Sequence, residues 1–241
     1  MQNEKNHLNQ PIGFLVPNWK SARLPGREAL EGNYCRVESL DPARHAADLF
    51  AANAVDLAGE NWTYLPYGPF ATLDSYRAWM DHDCCGLDPL FYAILDRVTN
   101  RAVGVASFLR IDPANGSIEV GHINFSPLLQ RTPAATEAMY LMMKHVFALG
   151  YRRYEWKCNA LNAPSRIAAQ RLGFSFEGVF RQAAVVKGRN RDTAWYAVID
   201  HEWPELNDAF LRWVDPENFD AQGKQKTQLS TFTGPILKLR G

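Results

Sequence analysis

Residues 117–147 constrain the fold of this chain most, because a half-buried strand pattern runs there into a proline-marked break, a loop of small residues and an amphipathic helix. The loop reads Gln130-Arg131-Thr132-Pro133-Ala134-Ala135-Thr136. A strand that delivers its chain to a helix start leaves several backbone N–H groups without intrahelical partners, with the positive end of the helix dipole behind them. That arrangement suits a phosphate or diphosphate. The chain has neither a G-x-x-x-x-G-K-[ST] loop nor a G-x-G-x-x-G after a strand, so the anion is expected to belong to a larger carrier, of which coenzyme A is one.

At 241 residues the chain suits one main domain with a real core. Apolar residues at 46% and charged residues at 22% exclude a wholly disordered or fibrous chain. Lys plus Arg and Asp plus Glu balance at 26 each, so no global field draws the protein onto nucleic acid or a membrane, and neither partner is expected. Cys35, Cys84, Cys85 and Cys158 form no C-x-x-C pair, which makes reduced thiols the expectation and a metal centre not. With no long apolar core near the N-terminus and no stretch approaching a membrane span, a soluble, cytoplasmic protein is expected.

Residues 1–32 carry Pro11, Gly13, Pro17, Pro25, Gly26 and Gly32 and are expected to form an arm, pinned by Phe14, Leu15 and Trp19. A strand over 34–40 leads to Asp41-Pro42, which starts a helix over 42–57 with Leu49, Phe50 and Leu57 on its period. An aromatic, breaker-rich loop over 61–70 precedes a second helix capped by Thr72. A hairpin over 91–98 and 103–111 comes next. In the following strand Ile118, Val120, His122 and Asn124 alternate with Glu119, Gly121, Ile123 and Phe125, which sends Glu119 and His122 to opposite faces. The helix after the loop carries a core stripe of Met139, Met142, Met143, Val146 and Phe147 and stops at Gly150. A strand over 154–158, a short helix between Asn162 and Gly173, and strands over 174–186 and 194–200 around a turn at 187–192 complete the pattern. A helix through Leu206, Phe210 and Trp213 then leads to a polar tail.

This order, with the strand exit and its loop, the Asn162-x-x-Ser165 pair and Arg171-Leu172-Gly173-Phe174, resembles the GNAT superfamily of acyl-CoA-dependent N-acyltransferases over roughly residues 33–203. Within it the chain looks most like the branch holding the ribosomal-protein N-terminal acetyltransferases. The resemblance implies an α/β (α+β) fold with a mixed central sheet of about seven strands, splayed between the fourth and fifth, and helices on both faces. The arm 1–32 and the C-terminal helix and tail 204–241 would flank the acyltransferase domain 33–203. Pro127 cannot donate a ladder hydrogen bond, so pairing of those two strands should fail near Ser126.

The same resemblance implies acetyl-CoA as co-substrate. Its pantetheine arm would pair along Ile123, Asn124 and Phe125, and its diphosphate would sit on Gln130, Arg131, Thr132, Ala134, Ala135 and Thr136. Pro133 stands where the family loop has its first glycine and removes one donor. Proline is tolerated at a first helical position, with Thr132 as the cap, so rearranged phosphate binding is expected.

Acyl transfer to an amine needs a base for the amine and an acid for the departing sulfur. Glu119 matches a position where the family often carries an acid and is the preferred base, the competing reading being a salt-bridged strand carboxylate. Ser165 matches the serine assigned as the acid in that branch, with Asn162 holding the cofactor arm; the competing reading is that both simply cap the helix. Trp62, Tyr64 and Tyr67 fall where family members line the acceptor channel, and His122 is a further candidate there, against readings as loop pins and a core imidazole. Lys187, Arg189 and Arg191 crowd one turn and read either as solvated charges or as contacts to an anion. The resemblance implies a small-molecule amine or a protein N-terminus as the acceptor. A non-catalytic acyl-CoA sensor or interaction protein, transfer of another acyl group such as succinyl, and a homodimer all stay open.

Overall fold

The computed structural model describes residues 4–241, so the first three residues of the expected arm lie outside it. In the arm, β1 (Glu4–Lys5) and β2 (Pro11–Ile12) form a small antiparallel hairpin. The central sheet contains β3 (Leu30–Glu31), β4 (Cys35–Ser39), β5 (Leu90–Asp96), β6 (Ala102–Asp112), β7 (Ser117–Phe125), β8 (Arg153–Asn159), β9 (Ser175–Val186) and β10 (Arg189–Ile199). Their order is β3-β4-β5-β6-β7-β8-β10-β9, antiparallel throughout except for the parallel β7–β8 pair. The eighth strand, beyond the seven expected, is the two-residue β3 on the edge of β4.

Helices cover both faces. α1 (Pro42–Asn53) and α2 (Leu73–Asp83) close one face through Ala46, Leu49, Tyr76 and Met80, packed on Phe91, Ala93 and Val105. α3 (Pro133–Ala148), α4 (Ala163–Arg171) and α5 (Trp203–Val214) close the other, where the buried Met139, Met142, Met143 and Val146 meet Phe108, Ile118, Val120 and Trp156. The methionine stripe is therefore core, and this open mixed sheet between two helical layers is the expected architecture.

Local signals set most helix starts. The Asp41 carboxylate accepts the Ala43 N–H, and Thr72 and Ser75 form a capping box at α2. α1 stops at Asn53, short of residue 57, because the Asp56 carboxylate takes the N–H groups of Glu60 and Asn61 and turns the chain into the aromatic loop. Leu57 is left 96% exposed.

Three expectations change. β10 begins at Arg189, since Lys187 (φ 48) and Gly188 (φ 71) alone make the turn, both left-handed as a tight hairpin of matching twist requires. The tail is not merely polar: it forms α6 (Leu229–Thr233) and buries Leu229 and Ile236. Leu239 O accepts the Phe176 N–H and Ser175 Oγ the Lys238 N–H, which covers the start of the free edge of β9. In the arm, Trp19 is a pin, its indole donating to Ala114 O at 2.9 Å, whereas Leu15 stays largely exposed. No helix among the described residues is long and apolar enough to cross a membrane.

Candidate active site

β7 and β8 pair from Ser117↔Arg153 to Val120↔Trp156 and then diverge. The split thus opens well before Ser126, and Pro127 is not its cause. Ser107 faces Gly121 and Val105 faces Asn124 across β6–β7, so one extra residue is accommodated between them. That residue is His122, at φ 49. A bulge bends its strand, and here it turns β7 away from β8 where pairing ends.

The bulge also overturns the expected placement of Glu119 and His122 on opposite faces. Glu119 faces Leu109 across the ladder, on the side of α1 and α2. The His122 ring lies 5.0 Å from Phe91 and stacks on Tyr67 at 5.7 Å, on that same side, while Ile123 and Phe125 pack on the other core.

At the α3 end of the split, Thr132 caps the helix as expected, accepting from Ala135 N at 3.2 Å and donating to Leu129 O. The Thr132 N–H bonds Leu129 O, whereas the N–H groups of Arg131 (φ 61) and Ala134 have no partner among the described residues; Thr136 is buried and its hydroxyl accepts from Arg171 Nη1 at 3.0 Å, so it is not the anion contact expected. Gln130 does not point at an anion: its amide donates to Asn61 Oδ1 and to Phe125 O, so the Phe125 carbonyl is already occupied. Asn124 and Ser126 are buried beside the split with the Asn124 amide and the Ser126 hydroxyl unpartnered. Orphaned buried polar atoms along a sheet gap, together with a helix N-terminus, fit an amide-bearing carrier ending in a diphosphate.

Glu119 is 3% exposed and uses one oxygen for two cations: Oε2 lies 2.7 Å from Arg110 Nη1 and 2.8 Å from Lys157 Nζ. Among the described residues its Oε1 takes no donor, and it faces the side-chain-free Gly121, whose Cβ position is 3.6 Å away. Lys157 is the first β8 residue past the last pair. It also holds Glu155 Oε2 at 2.7 Å and lies 3.8 Å over the Trp195 ring. Lys157 and Arg110 were missed from the sequence, although the Arg153, Glu155, Lys157 alternation against Tyr154, Trp156 and Cys158 marks one charged face.

On the opposite face, Asn162 Oδ1 accepts the Ser165 N–H at 3.2 Å and caps α4. Ser165 Oγ accepts the Trp156 indole N–H at 3.0 Å, so its own proton is directed elsewhere. The neighbouring Cys158 is buried, and burial pushes its thiol up, which disfavours the thiolate form.

The aromatic loop is anchored from outside. Lys187 Nζ donates to Trp62 O (2.8 Å) and Gly68 O (3.0 Å), and Tyr64 OH donates to Leu161 O across the split. Lys187 is therefore neither a solvated charge nor an anion contact. Trp62 is buried within the cluster of Tyr67, Phe70 and Tyr76, a pin rather than a wall of the channel, whereas Tyr67 and His122 line a cavity. Burial pushes the Tyr67 phenol well up and the His122 imidazole down to about 4, helped by Arg110 and Arg191 and opposed by Asp83.

A mixed sheet split between two parallel strands over a helix N-terminus, with polar groups on both sides of the gap, is the arrangement expected of an acyl-CoA-dependent N-acyltransferase. The acetyltransferase (GNAT) domain family matches residues 38–175, more than half of the chain, and the chain belongs to that family. The structure of a GCN5-related N-acetyltransferase from Brucella melitensis is 49% identical with a TM-score of 0.89, the match covering 91% of this chain and 100% of that one. A probable GNAT-family acetyltransferase from Chromobacterium violaceum is 42% identical with a TM-score of 0.76, covering 81% and 98%. The ribosomal-protein-serine acetyltransferase of Escherichia coli (strain K12) is 32% identical over 102 residues, 42% of this chain. That match spans only 56% of the relative's own length.

Proposed function

We propose that the protein is a cytoplasmic N-acetyltransferase that moves acetyl from acetyl-CoA to a primary amine, of a small molecule or a protein N-terminus, by direct attack in a ternary complex. The observation that carries this reading is the split between β7 and β8, which has Glu119 on the α1–α2 face and Ser165 on the α4 face. Donor and acceptor can then approach one point from opposite sides of the sheet. Ile123, Asn124, Arg131, Ala134 and Asn162 would hold the coenzyme A moiety, whose thioester supplies an activated acetyl group.

Glu119 Oε1 takes the proton the amine gives up, directly or through water, while Arg110 and Lys157 fix the carboxylate through Oε2. The Ser165 hydroxyl, oriented by Trp156, donates to the departing sulfur as the carbon–sulfur bond breaks and the carbon–nitrogen bond forms. Lys157, close enough to steady Glu119 and far from α4, is a positioning residue.

The test runs acetyl-CoA and succinyl-CoA side by side over a panel of amines and N-terminal peptides, reading thiol release. Glu119→Gln and Ser165→Ala are expected to lower acceptor-dependent release by about 100-fold or more while the melting shift produced by coenzyme A persists. Thermal stabilisation by coenzyme A with no acceptor-dependent release by the unaltered protein would instead identify an acyl-CoA sensor.

A further inference from the structure

A cavity of about 430 Å³ opens on the α1–α2 face beside the split. Its walls are the rings of Tyr67, Trp79, Phe91 and His122, with Pro66 and Pro89 at the sides. Tyr67 lies 4.2 Å from Trp79 and is stacked on His122, and Trp79 meets Phe91 edge-on at 6.1 Å, so each ring is held by another and the remaining faces are fixed around the space. The Tyr67 hydroxyl and His122 Nδ1 are buried without a partner. Asp83, at the last turn of α2, is the charged side chain in the lining; it is half exposed and its Oδ1 lies 3.1 Å from Nδ1 of the adjacent His82. His122 belongs both to this cavity and to the bulge at which the strands part, which joins the cavity to the face where Glu119 Oε1 is free.

Resting on the acetyl-transfer reading, we propose that the acceptor is a small cationic amine bearing a flat aromatic ring and no carboxylate. Fixed aromatic walls favour a ring in offset or edge-on contact and an ammonium over a ring face. The Asp83 carboxylate attracts the amine and repels an acid group on the same ligand, which selects an arylalkylamine over the corresponding amino acid. The volume falls toward the lower end of small-molecule sites, about 300 to 1,000 Å³. An extended peptide needs a row of backbone partners, whereas Pro66 and Pro89 bring no N–H and, Asp83 aside, the other walls are rings, so a protein N-terminus is the poorer occupant.

The test compares tryptamine, tryptophan, hexylamine and a short N-terminal peptide, with binding by calorimetry in the presence of coenzyme A and rates by thiol release from acetyl-CoA. Tryptamine is expected to bind roughly fivefold or more tightly than hexylamine and tryptophan. Trp79→Leu should remove the preference for a ring while the melting shift with coenzyme A persists, and Asp83→Asn should shrink the preference for tryptamine over tryptophan. If Trp79→Leu does not fold, the half-exposed Asp83 variant carries the test. Equal binding of hexylamine and tryptamine, or a peptide preferred to both, overturns the inference and leaves acetyl transfer standing. Selective tryptamine binding without thiol release for any acceptor upholds the aromatic site and overturns acetyl transfer.

Discussion

His122 holds a backbone conformation that non-glycine residues adopt where their surroundings fix it, and here a stacked Tyr67 and a nearby Phe91 do so. The unfolded histidine, near pH 6.5, binds a proton that the folded, desolvated ring refuses down to about 4. Between those values the unfolded state carries more protons, so stability falls as the pH drops through the window and is fully present above it. His45 and His145 are also lowered, chiefly by burial, and act with the same sign. Unfolding free energies from urea titrations at neutral pH and near the lower edge of the window should differ by on the order of 2 kcal/mol for the His122 share. His122→Asn, which tolerates the left-handed backbone, should flatten that dependence; an unchanged slope would remove His122 as its source.

At the scale of elements, α3 depends on a cap made by one side chain. Thr132 Oγ1 both accepts from Ala135 N and donates to Leu129 O, so Thr132→Ala should cost about 1 kcal/mol in chemical denaturation and Thr132→Ser should restore most of it. Caps of this kind were legible because the signal is local: Asp41-Pro42, Thr72, Thr132-Pro133 and Asn162 all start the helices the sequence predicts. The parallel split over α3 was legible for the same reason, through the strand, loop and helix order. Its position was not. Nothing in Gly121-His122-Ile123 marks a bulge, because the extra residue is stabilised by rings from the 61–70 loop and β5, remote in sequence. Without it, simple alternation misplaced His122, and the burden of the split fell on Pro127. Lys157 escaped notice because an alternating charge is ordinary on a solvated strand, and it becomes informative only when β7 brings Glu119 against it.

Across the whole molecule, the candidate acceptor wall is held by contacts that no local pattern encodes. Lys187, at the tip of the β9–β10 hairpin, reaches two carbonyls of the aromatic loop, and Tyr64 ties that loop to the turn before α4. The loop is thereby strapped to elements on the far side of the split, and the cavity walls on Tyr67 and Pro66 inherit their rigidity from it. A charged donor satisfying two carbonyls contributes about 1.5 to 3 kcal/mol per hydrogen bond where it is sheltered, less at the exposed end of this pair. Lys187→Met keeps most of the side chain's length and removes both bonds. The amides of Trp62, Thr63 and Leu65, which bond within the loop, should then exchange with solvent roughly tenfold faster. Global melting should move little, because the hairpin and the α1–α2 core keep their own contacts. The Michaelis constant for the acceptor should rise while the affinity for coenzyme A on the opposite face stays level, since only the acceptor side loses its support. Unchanged exchange in those amides would mean that the aromatic cluster around Trp62 holds the loop by itself, with Lys187 adding nothing to the wall.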